Sequence, residues 1–263
     1  MLRIQQIKSD KFLYSQDIPM FFSHIDEVKP SLKVHPSKAP TITLDVMDLD
    51  STLTSSTAEE ALELTIVAEM ATHFPGKTLE EVNAINKAAY QKYGCSFIFM
   101  TQTFGIKKDD FVKSVYERFH KNHGHLYQPN KRLKRALVRH DRPRIIFTAS
   151  PTFHAEFVLK RMGILDAFDD IQAADGALIA GRSKYAISVL RDLRLHIWDI
   201  FKTLPQNVAI FDDKSAVLDA AEKVGYGHRV QVRDKTATFH RPITANATMQ
   251  VKSVSTALNQ LAS

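Results

Sequence analysis

The sequence predicts an α/β protein with a Rossmann-like parallel sheet and a helical segment inserted after the first strand. Two observations indicate this class. From residue 142 onwards, strand-like and helix-like segments alternate, which is typical of a parallel sheet with right-handed crossovers. Before that, a β-branched apolar run at 41–47 is followed by a long stretch of helical periodicity. The length of 263 residues suits one large domain or a domain with a sizeable insertion.

The first predicted strand follows an extension, residues 1–40, that contains four prolines and no sustained period. Apolar residues at three- and four-residue spacing then predict four helices, over 57–74, 78–93, 107–121 and 130–140. The second helix opens on a capping-box pattern, Thr78 with Glu81. A short apolar stretch at 97–100 lies outside these helices. We therefore expect an α/β core formed by 41–54 and 141–263, and a helical insertion over 55–140.

The second half of the chain predicts the rest of the sheet. Strands are expected at 145–147, 171–173, 208–211 and 229–232, and helices at 152–162, 184–201, 215–224 and 251–261. Asp45 is unusual in the first strand, because a strand buried on both faces should be apolar throughout. We expect a nearby Lys or Arg to be its partner.

Three predicted strands end in polar residues: Asp48 and Asp50, Thr148 and Ser150, and Asp212 and Asp213. The carboxyl ends of parallel strands face the crevice where open α/β sheets bind ligands. Carboxylates are costly to bury unless they are paired or bound to a metal, and Mg²⁺ prefers such hard oxygen ligands. A carboxylate can also attack a phosphoryl group, while hydroxyl and ammonium groups hold its oxygens. The pattern therefore suits metal-assisted phosphoryl transfer.

The order of these motifs resembles that of the haloacid dehalogenase-like (HAD-like) phosphohydrolases over roughly residues 41–234. The matching segments are Asp-Leu-Asp-Ser-Thr at 48–52, Phe-Thr-Ala-Ser at 147–150, a downstream Lys, and Phe-Asp-Asp at 211–213. Within that superfamily, 147–151 with His154, 163–169 and 211–213 look most like the pyrimidine 5′-nucleotidase branch. The resemblance implies a Mg²⁺-dependent phosphomonoesterase that forms an aspartyl-phosphate.

The resemblance also implies a role for each matching residue. Asp48 would be the nucleophile and Asp50 the general acid and base. Thr148, Ala149 and Lys184 would bind the phosphoryl group, with Ala149 acting through its backbone N–H. The cation would be held by the Asp48 carboxylate, the Asp50 carbonyl and Asp213, with Asp212 beside it. Lys184 is chosen by its spacing and because it opens a predicted helix, and Lys160 and Lys214 are the alternatives.

The favoured substrate class is a 5′-nucleotide, and a sugar phosphate or another small phosphate ester is the enzymatic alternative. A binding protein without catalysis on the same fold is the third hypothesis. Asp50 favours phosphate-ester hydrolysis, because family members that cleave carbon–halogen bonds lack a carboxyl group there. The helical insertion at 55–140 matches the position of the family's helical cap, which would select the leaving group. Its candidate contacts are Tyr93, Phe97, Phe99, Phe104 and Arg118, although aromatic residues at such spacing are more often cap core.

Composition and charge limit the other classes of partner and location that we expect. The net charge of +6 and pI near 9.3 favour anionic ligands. The basic segment 131–140 carries an apolar stripe of Leu133, Ala136 and Leu137, which predicts a solvated amphipathic helix, so we expect no nucleic-acid partner. The scattered histidines predict no zinc site. No run approaches the roughly 18 apolar residues of a membrane span, and the N-terminus lacks a signal-peptide layout. The single cysteine, Cys95, suits a reducing compartment. We therefore expect a cytoplasmic protein, whose oligomeric state the sequence leaves open.

Overall fold

The computed structural model describes residues 41–93, 96–179, 182–233 and 242–261. The predicted N-terminal extension and Cys95 lie outside these ranges. The described strands are β1 (Leu44–Met47), β2 (Arg144–Phe147), β3 (Asp170–Gln172), β4 (Val208–Asp212), β5 (His228–Val232) and β6 (Met249–Val251). The described α-helices are α1 (Ser56–Ala71), α2 (Leu79–Tyr93), α3 (Ser96–Phe104), α4 (Lys108–His123), α5 (Lys131–Arg139), α6 (Thr152–Met162), α7 (Ile187–Phe201), α8 (Ser215–Val224) and α9 (Val254–Leu261).

The six described strands form one parallel sheet in the order β3-β2-β1-β4-β5-β6. This is a doubly wound order, in which the chain runs outward from β1 on one side and then crosses to β4 on the other. Met47, the last residue of β1, is in register with Ile146 of β2 and Phe211 of β4. The carboxyl ends of the three central strands are therefore level, and the predicted α/β class is confirmed.

Both faces of the sheet are covered, as expected of a parallel sheet. On one face Leu44 and Val46 of β1 pack with residues of α7 and α8. On the other face Met47 packs in a larger apolar cluster that includes residues of α6, α9 and the helices between β1 and β2. Alternate residues of one strand thus serve two cores, which explains why β1 is apolar at almost every position.

The chain between β1 and β2 forms five helices, α1 to α5, within the described ranges. The predicted capping box opens α2: the Glu81 N–H donates to Thr78 Oγ1 at 3.2 Å, and the Thr78 N–H donates to Glu81 Oε2 at 2.8 Å. Helix α5 buries Leu133, Ala136 and Leu137 and packs against α9, so its basic residues cover the solvent side. The amphipathic interpretation of this segment is confirmed.

Three local predictions were wrong. The apolar stretch at 97–100 belongs to α3, so the described part of the insertion has one α-helix more than the four predicted. The last helix begins at Val254 rather than at Val251, because Val251 is the end of β6, a three-residue strand too short to give a period. Lys184 does not open α7, which begins at Ile187 after Ala186 as its N-cap, so Lys184 lies on the preceding turn.

Asp45 has the cationic partners that its burial requires. Arg142 Nε donates to Asp45 Oδ2 at 2.8 Å, and Arg144 Nε lies 3.8 Å from the same oxygen. Arg144 also donates to the backbone carbonyls of Leu137 and His140. Because one partner lies on β2 and the other immediately before it, the pairing joins β1 to β2 inside the sheet. No helix of the described residues has both the length and the apolar character needed to cross a bilayer.

Candidate active site

The polar residues at the strand ends meet where the strand order reverses. Asp48 follows β1, Thr148 follows β2, and Asp212 ends β4 with Asp213 directly after it. The Asp48 N–H donates to the Phe211 carbonyl at 2.9 Å, which continues the β1–β4 pairing to the edge of the sheet. This edge is the crevice in which doubly wound proteins bind their ligands.

Lys184 joins the ends of β1 and β4. Its Nζ donates to Asp48 Oδ1 at 2.5 Å and to Asp212 Oδ2 at 2.6 Å, and its side chain is only 5% exposed. Thr52 Oγ1 donates to the other oxygen of Asp48 at 3.0 Å. Both oxygens of Asp48 are therefore held, and its carboxylate has a fixed orientation.

The structure distinguishes among the three candidate lysines. Lys184 contacts two carboxylates of the cluster, whereas Lys160 lies exposed on α6. Lys214 follows β4, and its Nζ lies 3.9 Å from Glu59 Oε1 of α1. Glu59 also accepts a hydrogen bond from Ser51, so Glu59 links the loops after β1 and β4.

A divalent cation fits this cluster. Asp48, Asp212 and Asp213 are buried, and each offers a carboxylate oxygen within 4.8 Å of the others. These three acidic groups and Asp50 outnumber the ammonium groups of Lys184 and Lys214, which leaves a buried excess of negative charge. Hard carboxylate oxygens with an excess of negative charge are the ligand set that Mg²⁺ prefers.

Burial controls the ionisation of Asp48. The loss of solvation raises the pKa of Asp48 to about 6, and the proximity of Asp212 adds to the rise, while Lys184 opposes it. For Lys184, burial alone would lower the pKa, but Asp212 and Asp48 more than compensate and raise it above its usual value. Lys184 is therefore a permanent cation, and Asp48 is ionised at neutral pH at an energetic cost.

Asp50 is held by a different set of groups. Ser150 Oγ donates to Asp50 Oδ2 at 2.6 Å, and His154 Nε2 lies 3.6 Å from Asp50 Oδ1. Burial opposes ionisation of Asp50, but the nearby His154 and the hydrogen bond from Ser150 together lower its pKa below the usual value. The two carboxyl groups of the first motif thus lie in opposite electrostatic environments, although only one residue separates them.

The remaining phosphate-binding candidates follow β2. The Thr148 side chain is fully buried, and its Oγ1 accepts a hydrogen bond from the Ser150 N–H at 3.1 Å. Ala149 between them is exposed on the loop, next to the N-terminus of α6. Backbone N–H groups at such a position are suited to an anion.

The cap candidates for substrate contact are mostly used inside the insertion. The ring of Phe97 packs edge-on against Phe111 with centroids 5.8 Å apart. Phe99 stacks on Phe74 at 6.4 Å, and Phe104 meets Phe74 edge-on at 4.9 Å while remaining partly exposed. Arg118 is engaged by Glu69, Nη1 to Oε2, at 3.2 Å. The Tyr93 side chain lies outside the described part of the structure.

Sequence reasoning missed two residues near Asp50. Tyr116 and His120 of α4 contact Ser150 and His154, respectively, which are the residues that hold the Asp50 carboxyl. Their four-residue spacing on one helix face was the available signal. That signal shows which residues share a face but not which core residues this face meets.

No family model matches the sequence, and no curated protein matches it. Solved structures do match. A HAD phosphatase from Thermococcus onnurineus is 16% identical, with a TM-score of 0.61 over 84% of this chain and 98% of that one. The HAD hydrolase YfnB from Bacillus subtilis, bound to magnesium, is 13% identical, with a TM-score of 0.52 over 84% and 99%. An L-2-haloacid dehalogenase from Xanthobacter autotrophicus is 12% identical, with a TM-score of 0.51 over 84% and 99%.

These similarities cover nearly the whole of each matched protein. Phosphatase and dehalogenase both occur among them, so the architecture is shared by enzymes of different chemistry. The fold of this chain is the fold of the HAD-like hydrolases.

Proposed function

We propose that the protein is a Mg²⁺-dependent phosphomonoester hydrolase that acts through an aspartyl-phosphate on Asp48, with a 5′-nucleotide as substrate. The observation that carries the proposal is the bridge from Lys184 to Asp48 and Asp212, next to Asp213, at the level edge of the sheet. It places the proposed nucleophile, a buried ammonium group and the proposed metal ligands in one buried cluster.

Asp48 is suited to the attack on phosphorus. Its oxygens are held by Lys184 and Thr52, so that the carboxylate needs little reorganisation before it reacts. Attack by one oxygen forms an acyl phosphate on Asp48 and releases the substrate alkoxide. Water then attacks the phosphorus of this intermediate, which frees inorganic phosphate and restores the carboxylate.

The phosphoryl oxygens would be held by Lys184, by Thr148 Oγ1 and by the backbone N–H of Ala149. Thr148 and Ala149 follow β2, and Lys184 reaches the same edge of the sheet from the turn before α7. A bound Mg²⁺ would supply charge neutralisation between two anions that otherwise repel. Asp48, Asp213 and the Asp50 carbonyl would hold it, and Asp212 would orient Lys184.

Asp50 would handle the proton in both steps. It would protonate the leaving alkoxide and then accept a proton from the attacking water. Its lowered pKa keeps it ionised in the ligand-free protein. A phosphate monoester bound beside it adds negative charge, which raises the pKa and favours the protonated form. The carboxyl at Asp50 also favours this chemistry over the carbon–halogen cleavage of the dehalogenase with the same fold.

The helical insertion would form the lid over the crevice, and α1 to α4 are the helices proposed for it. Helix α5 packs against α9 and would remain with the core. Glu59 brings α1 to Lys214 at the edge of the metal cluster, so the lid begins beside the reacting groups. The choice of a 5′-nucleotide is drawn from the motif resemblance, and the basic net charge of the chain agrees with an anionic substrate.

The test is a panel of phosphate esters that contains 5′-nucleotides, sugar phosphates and an aryl phosphate. Hydrolysis should require Mg²⁺ and should be lost in Asp48→Asn, whereas Asp50→Asn should reduce it by about 10²- to 10⁴-fold. Turnover retained by Asp48→Asn would refute the nucleophile. Preference for sugar phosphates would refute the nucleotide assignment, and inactivity of the wild type on every ester would leave the binding protein as the better hypothesis.

A further inference from the structure

His154 is a buried titratable residue that the proposed mechanism does not use. It lies in the first turn of α6 and is fully buried. Four rings of the insertion surround it, with centroids between 4.7 and 6.0 Å away: Tyr116, Phe119, His120 and Tyr127. An imidazole in such an apolar box is costly unless its ring nitrogens have partners.

Two chains of polar contacts end on the Asp50 carboxyl, one on each oxygen; the first is hydrogen-bonded throughout, and the last contact of the second is electrostatic, beyond hydrogen-bond distance. In the first, Tyr116 Oη lies 3.2 Å from Ser150 Oγ, which donates to Asp50 Oδ2 at 2.6 Å. In the second, His120 Nε2 lies 2.8 Å from His154 Nδ1, and His154 Nε2 lies 3.6 Å from Asp50 Oδ1. Each chain thus has an outer residue on α4 and an inner residue next to Asp50.

The proton positions follow from the acceptor at the inner end. Ser150 uses its only proton on the carboxylate, so the Tyr116 hydroxyl must donate to Ser150. Burial, and then the proximity of His154, lowers the pKa of His120 to about 4, so His120 is neutral at pH 7. His154 directs Nε2–H at the Asp50 carboxylate; when its ring is neutral, Nδ1 accepts from His120 Nε2–H, and when it is protonated, Nδ1–H donates to the lone pair of the neutral His120 Nε2. The opposite tautomer would direct a lone pair at a carboxylate.

The two outer residues belong to one face of one helix. Tyr116 and His120 are four residues apart on α4, so they are displaced together when that helix moves. Ser150 and His154 belong to the loop and helix that follow β2. Both chains therefore connect the insertion to the Asp50 carboxyl.

We propose that Tyr116 and His120 are positioning residues, which hold the Asp50 carboxyl in its reactive orientation when α4 is docked on the core. This rests on the proposed function, because it assigns Asp50 the proton transfers. When the lid is displaced, the acidic cluster of Asp48, Asp212 and Asp213 therefore keeps its arrangement, but the carboxyl of Asp50 loses its orientation.

If the same residues contribute only by packing, a different result is expected. The ring of Tyr116 packs edge-on against Phe153 at 5.7 Å, and the ring of His120 stacks on Phe157 at 3.8 Å. Tyr116→Phe and His120→Phe keep an aromatic ring and remove the polar atom. If the contacts only attach α4 to α6, these variants should leave the chemistry unchanged.

The kinetic test measures release of the leaving group in a single turnover from two aryl phosphates, one with a basic leaving group and one with an activated leaving group. Both variants should lower the rate for the ester with the basic leaving group by about 10-fold, with KM unchanged. The rate for the activated ester should be nearly unaffected, because its leaving group needs little protonation. His120→Gln keeps a donor and should recover most of the loss. Equal losses for the two esters, or a change confined to KM, would overturn the proposal.

Two substitutions elsewhere serve as matched controls. Tyr226→Phe removes a buried phenol hydroxyl that donates to the Leu190 carbonyl, away from Asp50. His123→Phe changes the other histidine near the end of α4. Neither should alter the ratio of the two rates. Controls that match Tyr116→Phe and His120→Phe would overturn the proposal.

A second readout does not depend on activity. In the ¹⁵N-labelled protein, His154 Nε2 should carry a proton, and His120→Phe should move the His154 Nδ1 resonance away from the hydrogen-bonded position. An unchanged His154 spectrum in this variant would overturn the inference even in an active enzyme. A wild type that hydrolyses no ester would refute the proposed function alone. The His154 resonances would still show whether His120 and His154 are hydrogen-bonded.

Discussion

Replacing Asp48 by Asn should stabilise the metal-free protein at neutral pH although it removes the proposed nucleophile. Asp48 is buried, and its pKa rises from the usual 3.8 to about 6. The folded state therefore disfavours the ionised carboxylate by a pKa difference of about 2, and each pKa unit is worth about 1.4 kcal/mol. Asn is neutral and nearly isosteric, so the variant should gain about 3 kcal/mol in the free energy of unfolding at pH 7.

The gain has a defined pH dependence. Between pH 4 and 6 the unfolded chain carries an ionised Asp48 while the folded chain keeps it protonated, so the stability of the wild type falls as the pH rises. The advantage of Asp48→Asn should be roughly half as large at pH 5 as at neutral pH and should level off at about 3 kcal/mol above pH 7. Urea unfolding of both proteins in a chelator, at pH 5, 6, 7 and 8, measures it directly.

Asp50→Asn is the matched control, because the same substitution two residues away should have the opposite sign. The pKa of Asp50 is lowered by His154 and Ser150 despite its burial, so the folded state favours the ionised form and the variant should be less stable at pH 7. Added Mg²⁺ should stabilise the wild type more than Asp48→Asn. A destabilised Asp48→Asn in chelator, or a gain that does not vary with pH, would refute the electrostatic reasoning.

Three further results are expected. Lys184→Gln should lower kcat/KM by about 10²- to 10³-fold in the ester assay, whereas Lys160→Gln should not, and equal effects would contradict the bridge geometry. Arg142→Leu leaves Asp45 buried with Arg144 as a weaker partner, so the free energy of unfolding in urea should fall by about 3 to 5 kcal/mol. An unchanged free energy would show that the ion pair is dispensable. Thr78→Ala removes the α2 capping box and should cost about 1 kcal/mol by the same measurement, with no loss if the helix start is unimportant.

The sheet was predictable from sequence because its strands are short apolar runs bounded by turns. The helix at 152–162 was predicted with its observed bounds, since Gly163 adopts the left-handed conformation, at φ 69°, that ends it. The strand β6 was missed because three residues, one of them exposed, carry no periodicity. It exists because β5 offers it an edge to pair with, which is a tertiary effect.

The candidate site was predictable to the extent that strand ends define it. Parallel strands of matching register bring their carboxyl ends together, so the positions of Asp48, Thr148 and Asp213 followed from the alternation of strands and helices alone. Lys184 could only be guessed, because it lies on a turn whose path local sequence does not determine. Tyr116 and His120 could not be assigned at all, since the angle at which an inserted helix meets the core depends on packing.

Two buried aspartates lie close together in the sequence, and their surroundings show how a structural carboxylate differs from a proposed reactive one. Asp45 lies within β1 and faces two arginines, whose charges are permanent and outnumber it. Asp48 lies just beyond the strand and shares the single charge of Lys184 with Asp212. Asp169 and Asp141 also act on Arg144, so the charge around Asp45 is close to balance, whereas positive charge is in deficit around Asp48. A cation bound at Asp48 therefore relieves an existing excess of negative charge, which a cation at Asp45 would not.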